Sequence, residues 1–243
     1  IEEPNDRPVI TPDDGNEPEK PDVTETKTGT LAFEDIWPGG GDYDMNDVIV
    51  EYNRAVSFDK KNQVTKIVDT FTPVHDGAVF ANAFAYQVDK GQFGKMTFSA
   101  TTEGIHTESA TSSIIVCPNV KQAIQKVYTI TREFTGGSFN KKDLKSYNPY
   151  IIVKYAEGQK GRTEVHLPKH EATSLADLSL AGTQKDAYYI DKEGAYPFAI
   201  DIPILNFISV TEKKSIDTEY PNFKAWADSK GEKYTDWYNN HVN

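Results

Sequence analysis

From about residue 30 onward, apolar and polar positions alternate mostly with a period of two, and helical spacing is confined to short stretches. A first strand is predicted over 30–37, with Leu31, Phe33 and Ile36 inward. A long strand follows over 47–58, and the polar turn 59–63 returns it to a hairpin partner over 64–74. In 79–88 the bulky set Phe80, Asn82, Phe84 and Tyr86 alternates with Val79, Ala81, Ala83 and Ala85, so the first set is predicted to face the core. Further strands are expected at 96–101, 113–117, 121–131 and 150–155. A later one ends at Leu167, and two more lie at 188–190 and 197–202. Ser138 is a cap for a short helix through Tyr147, and Ser174 for a single helical turn. The best helical pattern is 218–230, with Pro221 in the first turn and Phe223, Trp226 and Ala227 at i, i+3 and i+4. No repeat of fixed period occurs. Many short strands with sparse helices predict an all-β chain, a β-sandwich with the jelly roll as its candidate form, and one or two short helices near the C-terminus.

Composition changes this picture at one end. Residues 1–27 carry Pro4, Pro8, Pro12, Pro18 and Pro21 among acidic and small polar residues, too little apolar surface to fold alone. They are expected to be a largely disordered linker, with a single domain over 28–243 whose order begins near Gly29. The net charge of −11 belongs mainly to this tail: residues 1–25 hold nine acidic and two basic residues, a net of −7, leaving −4 for the rest. With no basic patch, nucleic-acid binding is not expected. No apolar run approaches the roughly 20 residues of a membrane-spanning helix. Cys117 is the single cysteine, so neither an internal disulfide nor a CxxC zinc site can form, and its place at the end of an apolar strand reads as a buried structural thiol.

The densest chemistry is Gly39-Gly40-Gly41-Asp42-Tyr43-Asp44-Met45-Asn46-Asp47, with Glu34 and Asp35 just upstream. At 4 Å and an effective dielectric of 20, each like-charged pair costs roughly 4 kcal/mol, and a hard cation with oxygen ligands offsets that at neutral pH. Calcium is therefore the cofactor expected, with Glu34, Asp35, Asp42, Asp44, Asn46 and Asp47 as its candidate ligands. The alternation of Asp42, Asp44 and Asn46 opens like an EF-hand loop, yet position six is Asp47 rather than Gly and position twelve is Asn53 rather than Glu. An EF-hand is excluded. The competing account is an Asx-turn loop whose carboxylates cap backbone amides or face water.

Leu31-Ala32-Phe33-Glu34-Asp35-Ile36-Trp37-Pro38, followed by Gly41-Asp42-Tyr43-Asp44-Met45-Asn46-Asp47-Val48, resembles the opening motif of the LruC domain family of bacterial surface or periplasmic domains of unknown function. The segments 164–168, 175–178 and 220–227 look similar as well, so the resemblance runs from about residue 28 to the C-terminus. It implies an all-β, lipoprotein-type, adhesin-like domain with a calcium-binding acidic loop, exported to the outer-membrane surface or periplasm of a Gram-negative bacterium. It also implies lipid anchoring upstream of this sequence and a cell-surface glycan or protein as partner. No activity comes with it.

Three functions follow as expectations. The first is a non-catalytic surface or periplasmic module for adhesion or ligand binding, with calcium holding its first loop. The alternative is a carbohydrate-binding module that stacks sugars on Trp37, Tyr43, Trp226, Trp237 and the Tyr188-Tyr189 pair. A hydrolase ranks last, because no nucleophile elbow, zinc-helix motif or phosphate loop is present. His166 and His170 have zinc-helix spacing, but Pro168 lies between them and the expected Glu is missing. His75, beside Asp76-Gly77, reads as a solvated turn residue.

Overall fold

A computed structural model describes residues 23–134, 139–145, 147–157, 161–183, 186, 188–191 and 196–242. Its eleven strands are β1 (Val23–Phe33), β2 (Val48–Phe58), β3 (Val64–His75), β4 (Ala83–Gln87), β5 (Thr97–Ala100), β6 (His106–Glu108), β7 (Ser113–Cys117), β8 (Tyr128–Glu133), β9 (Asn148–Ile152), β10 (Glu164–His166) and β11 (Ala199–Ile202). They form a six-stranded sheet in the order β11-β1-β2-β3-β8-β5 and a five-stranded sheet in the order β10-β9-β4-β7-β6. Every pairing is antiparallel. The expected all-β sandwich is present, with β1, β2 and β3 as a meander of long strands.

The side-chain period of two explains how one strand serves two cores. Leu31 and Phe33 of β1, with Val48, Val50 and Tyr52 of β2, join the central core against Phe84 and Tyr86 of β4. The intervening Ala32 and Ile49 face the other way, onto a second core. There the C-terminal segment lays Phe207, Ile216, Tyr220, Phe223 and Trp237 over the outer face of the six-stranded sheet. In β4 the alanines are buried as fully as the aromatics, because Ala83 and Ala85 pack with Ile115, Tyr150 and Ile152. Small residues there face a covered surface rather than solvent.

Boundaries differ from the sequence reading in instructive ways. The expected linker ended at residue 27, whereas β1 already begins at Val23, and Val23–Lys27 pair with Phe58–Arg54 of β2. Main-chain pairing extends an edge whose side chains are mostly exposed. Residues 1–22 of that linker lie outside the described residues. The strand predicted from 79 starts only at Ala83, and the one predicted over 121–131 is a 3₁₀ turn at Val120–Gln122 followed by β8. The helix expected from Ser138 begins outside the described residues and leaves one 3₁₀ turn, Lys141–Asp143. The C-terminal helix is shorter than its pattern: a 3₁₀ turn at Ile216–Thr218, then α2 (Phe223–Asp228), numbered after the one-turn α1 (Lys90–Phe93).

Candidate metal centre

The acidic loop joins β1 to β2 and is held at both ends by strand pairing. Past the end of β1, the Glu34 N–H still donates to the Phe198 carbonyl (2.8 Å). Within the loop Tyr43 and Met45 take left-handed backbone conformations, φ 57° and 53°. Side chains with a Cβ rarely adopt these unless the surroundings over-determine them. Here they do: Met45 is fully buried in the second core, and the Tyr43 ring packs against Tyr196 and Phe198 at 5.3 and 5.8 Å. The Tyr43 hydroxyl donates to Asp191, and its carbonyl accepts the Ile216 N–H at 2.8 Å.

This backbone brings Glu34, Asp42 and Asp44 together, with one carboxylate oxygen from each within 4.8 Å of the other two. Glu34 is fully buried. Its Oε1 accepts the Met45 N–H at 2.6 Å, while its Oε2 is buried with no hydrogen-bond partner. Gly41 lies directly against that oxygen, and a Cβ there would sit 2.5 Å from it. Asp44 is also buried and accepts the Asn46 and Lys213 N–H groups at 3.3 and 2.9 Å. Asp42 is exposed and closes the group on the solvent side. Burial, then the negative charges of Asp47, Asp44 and Asp42, push the Glu34 carboxyl well above its usual range against the pull of the Met45 N–H. Burial likewise raises Asp44, opposed by the Lys213 N–H.

The other three candidates lie outside this triad, although the Asp47 charge acts on Glu34. Asp47 accepts the Asp35 N–H at 2.7 Å, and Asp35 accepts the Asn82 side-chain amide at 2.7 Å. Burial first, and the Asp35 charge second, push Asp47 up to about 7. Asp76 completes this second acidic group and is neutralised by Lys121 at 3.2 Å, so a lysine already serves as its cation. Asn46 donates to the Val210 carbonyl at 3.2 Å, and its buried Oδ1 faces Gly77 without a partner. The six-residue set thus resolves into a triad, a hydrogen-bonded Asp35–Asp47 pair whose Asp47 charge still reaches Glu34, and Asn46, which is tied to Val210.

Several contributors have no local signature. Lys213, Val210 and Ile216 come from a segment more than 160 residues downstream in the case of the first two. Lys121 reaches Asp76 from 45 residues away. Only Gly77 carried a hint, as a turn residue after Asp76.

Other candidate chemistry is accounted for by packing. His166 is fully buried, with Nε2 2.8 Å from Glu164 and Nδ1 2.7 Å from the Asn148 side-chain oxygen, so both ring nitrogens are engaged. His170 is bonded instead to the Pro168 carbonyl. Cys117 is buried, and burial raises its thiol. Of the aromatics considered for sugar stacking, Trp37, Tyr189 and Trp237 are interior, Tyr43 and Trp226 are half-buried, and Tyr188 is exposed.

Residues 62–238 match the family described as Domain of unknown function (DUF4842). The chain is also similar to the crystal structure of a "Putative lipoprotein from Bacteroides ovatus", with a TM-score of 0.65 and 17% identity, covering 92% of this chain and 76% of that one. At that identity the likeness is one of fold. No curated protein matches. The LruC-like opening motif at 31–48 precedes the family match.

Proposed function

This chain belongs to the DUF4842 family, and we propose that it is a non-catalytic, exported module whose first loop is held in shape by a calcium ion bound through Glu34, Asp42 and Asp44. The observation that carries this reading is the Glu34 Oε2 atom, buried and without a hydrogen-bond partner, on a carboxylate grouped with those of Asp42 and Asp44. A buried charged oxygen with no partner costs several kcal/mol, and an Asx-turn network would have given it an N–H. Calcium–oxygen distances of about 2.3–2.6 Å allow ligands up to roughly 4.6–5.2 Å apart, and the three oxygens, all within 4.8 Å of one another, fall inside that span. Magnesium, at about 2.0–2.1 Å, draws ligands closer and demands octahedral order. Backbone carbonyls and water would supply the remaining ligands.

The wider role is adhesion or ligand binding at the cell envelope, on a chain anchored through lipid upstream, in line with the LruC-like motif at 31–48. The fold likeness to a chain described as a lipoprotein supports that setting. Engagement of both nitrogens of His166, the histidine paired with an acid in the sandwich interior, supports a non-catalytic role.

Thermal unfolding of chelated protein, titrated with calcium, tests the reading. At a hundredfold excess over the dissociation constant, calcium adds roughly 2.7 kcal/mol, or about 5–10 °C for a chain of this size. Magnesium gives a weak response, and Asp44→Asn abolishes it. An unchanged melting temperature at every cation concentration overturns the site.

A further inference from the structure

The C-terminal helix and the seam between the two sheets enclose a cavity of about 330 Å³. β10 is an edge strand of the five-stranded sheet and β11 an edge strand of the six-stranded one. Leu167 and Pro168, just past β10, face Ala199 and Ile200 of β11 across it, and Trp226 of α2 forms a further wall. The walls are chiefly aliphatic and aromatic, and the volume lies at the low end of the roughly 300–1,000 Å³ of small-molecule sites. It admits one chain or ring rather than a two-chain lipid.

The rim has a definite sign. Lys169, His170 and Lys230 stand on it, together with Asp201. Asp201 is already committed: one oxygen pairs with Lys27 at 2.8 Å, and the other accepts the Tyr52 hydroxyl at 2.9 Å. Lys169 and Lys230 have no acidic partner among the described residues, on a chain whose net charge is −11. Two ammonium groups without an acidic partner among the described residues, at the mouth of an apolar cavity, favour an anionic head over a cationic or neutral one.

We propose that this cavity binds a single-chain anionic amphiphile, its apolar body against Trp226, Leu167 and Pro168 and its head between Lys169 and Lys230. The site is separate from the acidic loop and does not depend on calcium there.

Decanoate, used below its micelle-forming concentration with and without calcium, is the probe, followed by calorimetry and by the emission of the half-buried Trp226. Saturable binding is expected, at least tenfold tighter than for decyltrimethylammonium, which shares the chain and reverses the head. The double variant Lys169→Glu/Lys230→Glu, altered only at exposed loop positions, should lose at least tenfold in decanoate affinity with its melting temperature unchanged. No saturable binding, equal affinity for both heads, or unaltered binding by the double variant overturns the proposal. So does association with anionic phospholipid vesicles in the absence of decanoate binding, which would make this a membrane-contact face.

Discussion

Glu34→Gln separates what the fold asks of this side chain from what a cation asks of it. Glutamine keeps an acceptor for the Met45 N–H, now bonded at 2.6 Å, and places an amide NH₂ at the position of the unpartnered Oε2, in a side chain grouped with Asp42 and Asp44. Without metal, wild-type protein either keeps the buried charge or takes up a proton, and proton uptake caps the penalty. Burial raises the folded carboxyl well above its ordinary 4.5. Each pH unit above 4.5 over which the folded carboxyl keeps its proton costs about 1.4 kcal/mol, so the penalty at pH 7 is capped at about 3 kcal/mol. Below pH 4.5 the carboxyl is protonated in folded and unfolded chains alike, so the difference vanishes. As the pH rises the unfolded chain releases its proton first, and wild-type stability falls until the raised folded value is passed. The variant lacks this slope. In chelator at pH 7 it should therefore be more stable than wild type by up to about 3 kcal/mol, a rise of roughly 6–12 °C, with little gain at pH 4.5. Added calcium should stabilise wild type and leave the variant unmoved. Melting curves at both pH values, in chelator and in calcium, read all four states. A variant less stable than wild type in chelator at pH 7 would refute the reasoning, because the ionised carboxylate would then be serving the fold itself.

Asp69 is buried between two arginines, accepting from Arg132 at 2.8 Å and from the Tyr86 hydroxyl at 3.1 Å, with Arg54 at 3.5 Å. Asp69→Ala strands these guanidinium groups and should cost about 3–5 kcal/mol by urea unfolding, whereas Asp69→Leu combined with Arg132→Met and Arg54→Met should recover much of the loss. Trp237 packs against Phe223, Tyr220 and Trp226 at 4.9, 5.3 and 5.6 Å. Trp237→Ala should lower stability by about 3–5 kcal/mol in the same assay, and a loss below 1 kcal/mol would mean that the C-terminal segment is not integral to the fold.

The period-two pattern, with short apolar runs such as that of β7, was enough to predict the sandwich, because a strand that buries one face alternates every second residue and one that buries both reads as a run. It located β2, β3 and β7 closely, since each is bounded by a turn or a proline that stops pairing. It misplaced the start of β1, because Val23–Lys27 are held by main-chain hydrogen bonds to β2, which no side-chain pattern reports. It overextended the C-terminal helix, because Phe223, Trp226 and Ala227 owe their spacing to packing on Ile200 and Trp237 as much as to helical propensity.

The acidic loop was legible as a crowd of like charges near a turn, and that crowding follows from composition and spacing alone. Which carboxylates meet was decided only in three dimensions. Met45 is drawn into the second core, the backbone at 43 and 45 turns left-handed, and Asp44 is swung toward Glu34 while Asp47 is turned to Asp35. The groups that fix this arrangement, Lys213, Val210 and Ile216, are distant along the chain and hydrogen-bond to the loop through backbone atoms. A backbone N–H or carbonyl is the same at nearly every residue. The sequence by itself therefore determined that acids would crowd between two strands, and the tertiary structure decided which of them would face one another.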